Sequence, residues 1–393
     1  FSENKRLIMK KKFDASILPL MAAALLLPSV SNAADISRYD KAARPPIVLT
    51  DMGSLMFAGK TDTDEEGNTF HYDHGYAQYF IPQSSHSLPV VMWHGGGQSG
   101  KSWETTPDGR DGFWQMFTRA HWPVFIIDQP RRGRAGRTEP ASAVSDIPTD
   151  HKESIAWNTF RLGKWLPPQK PVFFSDSQFP QNERAIEQFL RWQTPNTGPE
   201  PSPDIQERQF MAKSMTALLK QTGPAILMTH SLSGQYGWET AMESPKLVRS
   251  IIAFEPGAFA FPSNDLPKNV KTSLSFVGKA TAPQVVSPER FRALTAIPVM
   301  VIIGDNVVRS ESASFGEELW RVNEIRARQF VDTLNRHGGQ ATLFILPEHG
   351  IHGNTHFAFA DKNNQQIADI VENFLHSRGL DSTHQYHFQQ NLQ

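Results

Sequence analysis

From residue 124 onward the chain keeps returning to short apolar runs with no polar interruption: Val124-Phe-Ile-Ile127, Ala225-Ile-Leu-Met228 and Pro298-Val-Met-Val-Ile-Ile303. A strand with one wet face alternates apolar and polar residues. A strand covered on both faces need not, so these runs predict the centre of a parallel sheet sandwiched between helices. Helical patterns separate the later runs, at Asp204 to Gln221, Ser233 to Glu243, Arg321 to Gly338 and Asn364 to Arg378. Alternation of this kind specifies an open, wound α/β sheet. Further strands are expected over Pro46 to Met56, Gly75 to Ile81, Pro89 to Trp93, Val248 to Phe254 and Ala341 to Leu346, for eight in all. The early strands have short connections, so that edge is expected to be antiparallel.

Two stretches stand outside this rhythm. Residues 1–33 carry Lys10-Lys-Lys12, an apolar run from Ile17 to Leu27 and the small residues Ser31-Asn-Ala33. That order is expected of a signal peptide, and the apolar run is shorter than the roughly 20 residues a bilayer span needs. The catalytic domain is then residues 34–393, and a periplasmic or secreted location is expected. The second stretch, about 137–203, has no strand–helix alternation and is rich in Pro, Trp and Phe. An aromatic-rich insertion of this length is either a satellite core or a lid over a site, and the two are compatible. The polar tail after residue 379 is expected to be mobile.

Composition narrows the chemistry. The net charge of −1 gives no reason to expect a nucleic-acid partner, and no stretch after the leader is apolar enough to hold the chain in a membrane. The absence of cysteine excludes a disulfide framework, a thiol nucleophile and a zinc–thiolate site.

The motif that carries chemistry is Ala225-Ile-Leu-Met-Thr-His-Ser-Leu-Ser-Gly-Gln235. A buried strand runs into a tight turn with Ser231 at its apex, and a helix follows; this is the context in which a serine hydroxyl is lifted clear of a sheet as a nucleophile. Glycines usually flank such a serine two residues to either side, and here Thr229 and Ser233 stand instead, with Gly234 available to give room. Strand Pro89 to Trp93 ends in His94-Gly-Gly-Gly-Gln98, where bare backbone can crowd a developing oxyanion. The amides of Gly96 or Gly97, with that of Leu232, are the candidate donors. Strand Val248 to Phe254 ends in Glu255, one helix and one strand beyond the serine, which makes it the first candidate for the acid. Asp305, after the next strand, is its rival. The base is sought in His349-Gly-Ile-His-Gly-Asn-Thr-His356, past the last strand. His356 leaves the loop most room to reach back over the sheet, with His352 as the alternative and His349 behind both. The cluster lacks the helical spacing of metal ligands, and no metal is expected. His71 and His74 read as a hairpin surface, and His230 as a packing residue beside the nucleophile.

Taken in order, the glycine loop, Asp128-Gln-Pro-Arg-Arg-Gly-Arg134, Ser231, Glu255 and His356 resemble the α/β-hydrolase superfamily from about residue 46 to 378. More narrowly, Trp103-Glu-Thr-Thr-Pro-Asp-Gly-Arg110, His230-Ser-Leu-Ser-Gly234, Phe254-Glu-Pro-Gly257 and Gly350-Ile-His-Gly-Asn-Thr-His356 resemble a small, atypical group of secreted bacterial serine esterases. The resemblance implies the α/β-hydrolase fold, a Ser–Glu–His triad, hydrolysis of a small carboxylic ester without a cofactor, a capped site and often a homodimer. Hydrolysis of amide, lactone or carbon–carbon bonds on the same fold is the alternative, and a non-catalytic binding protein of this fold is the other.

Overall fold

The central strands are buried on both faces because their alternate residues feed two separate cores. Val91, Trp93, Ala225 and Leu227 join one; Val90, Met92, Ile226 and Met228 join the other. The computed structural model describes residues 44–136, 152–193 and 203–388, all within one compact unit, Lys41–Gln393. The expected leader lies outside the described residues, as do parts of the expected insertion.

The main sheet has eight strands: β1 Leu49–Thr63, β2 Thr69–Pro82, β3 Val90–Trp93, β4 Val124–Asp128, β5 Ala225–His230, β6 Val248–Phe254, β7 Pro298–Ile303 and β8 Gln340–Ile345, in the spatial order β1-β2-β4-β3-β5-β6-β7-β8. β2 runs antiparallel to both its neighbours, and β4, β3, β5, β6, β7 and β8 pair in parallel. This is the mostly parallel sheet with an antiparallel edge that the apolar runs predict. Nine helices flank it among the described residues: α1 Phe113–Arg119, α2 Glu153–Thr159, α3 Glu183–Trp192, α4 Ile205–Thr222, α5 Leu232–Glu243, α6 Ser275–Ala280, α7 Pro288–Thr295, α8 Phe315–Arg336 and α9 Asn364–Ser377. Met215 of α4, Trp238 of α5, Leu294 of α7 and Phe330 of α8 cover one face of the sheet. Phe117 of α1, Trp157 of α2, Phe189 of α3 and Val371 of α9 cover the other. Helix α4 starts where its sequence says it should, with the Asp204 carboxylate accepting the amide of Glu207 at 2.9 Å.

Three features depart from the sequence reading. The β1–β2 hairpin continues well past its apolar residues, to Thr63 and Thr69. Its turn is closed by the Asp64 carboxylate, which accepts the amides of Glu66 and Asn68 at 3.0 and 2.8 Å, so local hydrogen bonding extends pairing that burial does not drive. The tail expected to be mobile is packed as far as residue 388. Leu380 and Tyr386 are buried, and the Tyr386 hydroxyl donates to the Thr222 carbonyl at 2.6 Å.

The insertion, where described, contains α2 and α3. Its aromatic residues Trp157, Phe179, Phe189 and Trp192 are continuous with the second core rather than a satellite to it. It docks on the loop after β8, where the Gln178 amide donates to the Gly353 carbonyl at 2.7 Å and the Lys362 amide to the Gln178 carbonyl at 2.7 Å. Gly353 is required there. Its φ is +79°, and a methyl group would overlap the Asp176 carbonyl. Gly353→Ala is therefore expected to destabilise the protein by more than about 1 kcal/mol in urea unfolding and to speed protease cleavage within 152–193; wild-type resistance would show that this contact does not hold the insertion.

Candidate active site

Strand β5 is buried along its whole length and delivers the chain into Ser231 at φ 53°, ψ −115°. Serine adopts a left-handed backbone only when its surroundings impose it. They do here. The Ser231 amide donates to the Phe254 carbonyl at 3.0 Å, and the Ser231 carbonyl accepts the amides of Gly234 and Gly257 at 3.0 and 2.8 Å. Ser233, at a position where glycine is usual, uses its hydroxyl instead of merely leaving space. It accepts the His230 amide at 2.9 Å and shares its proton between the carbonyls of Trp93 and His230, each at 3.0 Å. The close approach that glycine normally allows is moved to Gly234, where a methyl group would overlap Pro256.

Because β5 and β6 pair with His230 opposite Phe254, the next residue on each strand, Ser231 and Glu255, leaves the same end of the sheet side by side. Glu255 also has a left-handed backbone, φ 44°, and its amide donates to the Ile302 carbonyl at 2.9 Å. Both carboxylate oxygens are engaged. Oε2 receives the Nδ1 proton of His356, while Oε1 receives an Nη2 proton of Arg161 and, at 2.7 Å, the amide of Gly304. With Nδ1 donating, the His356 imidazole presents Nε2 as its lone pair, and that atom has no partner among the described residues.

His356 is enclosed on every side. Its amide donates to the Phe160 carbonyl at 3.0 Å, and its carbonyl accepts from His230 Nε2 at 3.0 Å. The Phe160 ring lies parallel to the imidazole at 5.2 Å between centroids, and the rings of Trp320 and His230 each stand 4.4 Å away. Burial lowers the imidazole below its ordinary range, against the opposing pull of Glu255, so it is neutral at neutral pH. Burial alone would raise the Glu255 carboxyl, but the Arg161 charge and the His356 hydrogen bond hold it well below the usual carboxylate range. His230 is lowered further still, by burial and then by the charge of its neighbour His356. Its Nε2 donates to the His356 main-chain carbonyl.

The glycine loop after β3 is fixed by His94, which is fully buried. Its Nε2 accepts the Gln129 amide at 3.2 Å and its Nδ1 donates to the Gly95 carbonyl at 2.8 Å. A methyl group on Gly95 would sit 2.9 Å from His230 Nδ1 and 3.2 Å from Ser231 Cβ. The loop thus presses directly on the serine. Gly96 and Gly97 follow, partly exposed, and Leu232 opens α5, whose first amides face the same end of the sheet. The serine, the acid–base pair and the glycine loop form one cluster at the carboxyl ends of β3, β5 and β6.

The rival residues are placed elsewhere, and they pair with each other. Asp305 Oδ2 meets His352 Nδ1 at 3.2 Å and accepts the Gly353 amide at 2.8 Å, with the His352 side chain 59% exposed. Asp305 ties down the loop that carries His356. His349 stacks on Phe344 at 3.8 Å. His71 and His74 lie on the β1–β2 hairpin. Among the described residues no group of three or more His, Asp or Glu could hold a metal ion, and no helix is long and apolar enough to cross a membrane.

Sequence reasoning missed Arg161 and Trp320, and had Phe160 only as one aromatic of the expected lid. A lone charge between Phe160 and Leu162 was the one available signal, since an arginine among apolar neighbours must find a buried counter-charge. It also missed Asp361, whose carboxylate takes the Thr355 amide at 2.7 Å, the Thr355 hydroxyl at 2.9 Å and the Asn354 side-chain amide at 3.0 Å, shaping the turn from which His356 projects.

No protein-family model matches the chain. A "Probable secreted lipase phiG" from a fungal species (strain ATCC 74256) is 26% identical over an alignment of 368 residues, covering 83% of this chain and 94% of that protein. The solved structure of a novel bacterial esterase superposes with a TM-score of 0.67 at 28% identity, covering 85% of this chain and 98% of that one. The likeness in both cases runs through nearly the whole of the relative.

Burial raises the Asp361 carboxyl to about 7 despite its three hydrogen bonds, so its removal strands donors in a dry turn. Asp361→Ala is expected to lower stability by about 3 kcal/mol in denaturant unfolding; an unchanged midpoint would show that the turn does not depend on it.

Proposed function

We infer that this chain, a member of the α/β-hydrolase superfamily by its sheet order and its likeness to a bacterial esterase, is a serine hydrolase that cleaves carboxylic esters through an acyl-enzyme. The observation that carries the reading is the enclosed Glu255–His356 pair with its Nε2 unengaged, at the same end of the sheet as a serine held in a left-handed elbow. The names of the two relatives, a lipase and an esterase, agree with it.

The chemistry follows from the placement of the groups. His356 Nε2 takes the hydroxyl proton of Ser231 as the oxygen attacks the ester carbonyl. The carbonyl π electrons move to its oxygen, where the amides of Leu232 and of Gly96 or Gly97 receive the charge. Glu255, ionised and fixed, steadies the imidazolium without taking its proton. Collapse expels the alkoxide, which leaves as alcohol with the proton from His356. Water then repeats the sequence on the acyl-enzyme, releasing the acid and restoring Ser231. The described part of the insertion lids the base through Phe160. Residues 1–33 serve export to the periplasm or medium, and assembly as a homodimer belongs to the same reading.

On a panel of p-nitrophenyl esters of graded chain length, the wild type is expected to turn over and Ser231→Ala to lose at least about 10⁴-fold in kcat. Ester hydrolysis that survives the substitution, or is absent from the wild type, would overturn the reading. Because the base must be neutral, kcat/KM is expected to fall as pH drops through the His356 pKa, placing the acid limb below about pH 6.5. Glu255→Gln should lower kcat by roughly 10²- to 10⁴-fold, while Asp305→Asn, which keeps an oxygen for Gly353, stays within about tenfold of wild type by the same reasoning. Equal losses in both variants would reassign the acid.

A further inference from the structure

We propose that Arg161, contributed by the insertion and not by the sheet, is a positioning residue for the reaction: it locks the Glu255 carboxylate in the orientation that serves His356 and offsets its charge. The proposal rests on the serine-hydrolase reading above.

The guanidinium is buried, with 2% of its side chain exposed, and nothing about its location is adventitious. Arg161 has a left-handed backbone at φ 56°, a conformation that a long side chain adopts only when neighbours fix the turn. They fix it closely. The Arg161 amide donates to the Asn158 carbonyl at 3.2 Å, the Trp320 indole donates to the Thr159 carbonyl at 2.7 Å, and Gly316 of α8 leaves no space for a side chain against Thr159. From this turn the guanidinium reaches two elements at once. Nη2 donates to Glu255 Oε1 and Nε donates to the Asp305 carbonyl at 2.7 Å, and its plane lies over the Trp320 ring at 5.2 Å. The residue before it, Phe160, covers the imidazole and accepts its amide. One short stretch of the insertion therefore grips the acid with a charge and the base with a ring and a carbonyl.

A buried ion pair is seldom the most stable way to fill a core, and apolar residues of similar volume often serve better. Retaining one in contact with the acid of a catalytic pair points to the chemistry. Glu255 has two oxygens and one task for each. If Oε1 lost Arg161 it would keep the Gly304 amide alone, and the carboxylate could turn about its last torsion, drawing Oε2 away from Nδ1. Charge matters equally. The ionisable groups facing His356 are Glu255 from the end of β6, Arg161 from the insertion and His230 from β5; α8 presents the neutral Trp320, and Asp361 is spent on Thr355. His230 is kept neutral by burial, so Arg161 is the cation that tempers the pull of Glu255 on the imidazole proton, and its field lowers His356. Without it the base would hold its proton to higher pH.

The test is the pH dependence of kcat/KM and kcat on a p-nitrophenyl ester, for wild type, Arg161→Met and Arg161→Lys. Arg161→Met is expected to move the acid limb up by about one pH unit and to lower kcat by about 10- to 100-fold, with KM little changed. Arg161→Lys keeps the charge but not the fork, so its limb stays in place while kcat falls several-fold. In a Glu255→Gln background Arg161→Met should cost far less than in the wild type, because the charge it serves is gone. A folded Arg161→Met with an unmoved limb would overturn the proposal, as would an equal loss in the Glu255→Gln background. Wild-type kcat in Arg161→Lys would overturn it alone, whether or not Arg161→Met folds. A wild type that hydrolyses no ester and resists a serine-directed phosphonate would instead overturn the hydrolase reading, and this proposal with it.

Discussion

The molecule turns on a carboxylate kept ionised where water does not reach. Glu255 is buried, and a buried charge without partners is strongly disfavoured. It persists because Arg161, the Gly304 amide and the Nδ1 proton of His356 converge on its two oxygens. Those partners come from separate parts of the chain: the insertion, the end of β7 and the loop after β8. The acid is therefore in place only when the sheet is complete, the insertion is docked and the last loop is folded back.

The sheet supplies the rigidity this arrangement needs. Alternate residues of β3 and β5 pack into opposite cores, so a shift of either strand would disturb both faces together. The positions that follow them inherit that fixity. His94, Ser231 and Glu255 all stand within one or two residues of a buried strand end, which is why residues remote in sequence are held at one end of the sheet.

What could be read in the sequence follows the same division. Buried parallel strands write uninterrupted apolar runs, so the eight strands, their mostly parallel sheet and the place of Ser231 were legible. The two members of the buried pair were each singled out by position, Glu255 at the end of the strand after the elbow and His356 deep in the last loop. Spacing ranked Glu255 above Asp305 and His356 above His352; what spacing does not show is that each acid meets its own histidine, one pair buried and the other exposed. Arg161 was invisible for a different reason: its turn is set by Trp320 and Gly316, which lie far along the chain in α8. The packing of the tail escaped notice because its few apolar anchors, Leu380, Tyr386 and Phe388, are scattered among polar residues, and the full length of the hairpin escaped because its outer part is held by hydrogen bonds, which leave no periodic trace.

Ser233 has a wider consequence. Its hydroxyl, on the first turn of α5, accepts the His230 amide at the end of β5 and donates to the Trp93 carbonyl at the end of β3, immediately before the glycine loop. Glycine at that position would leave the two strand ends joined by their ladder alone, with Trp93 opposite Thr229. With the hydroxyl there, the serine elbow and the start of the glycine loop share one further tie, so a substitution that removes it reaches both at once.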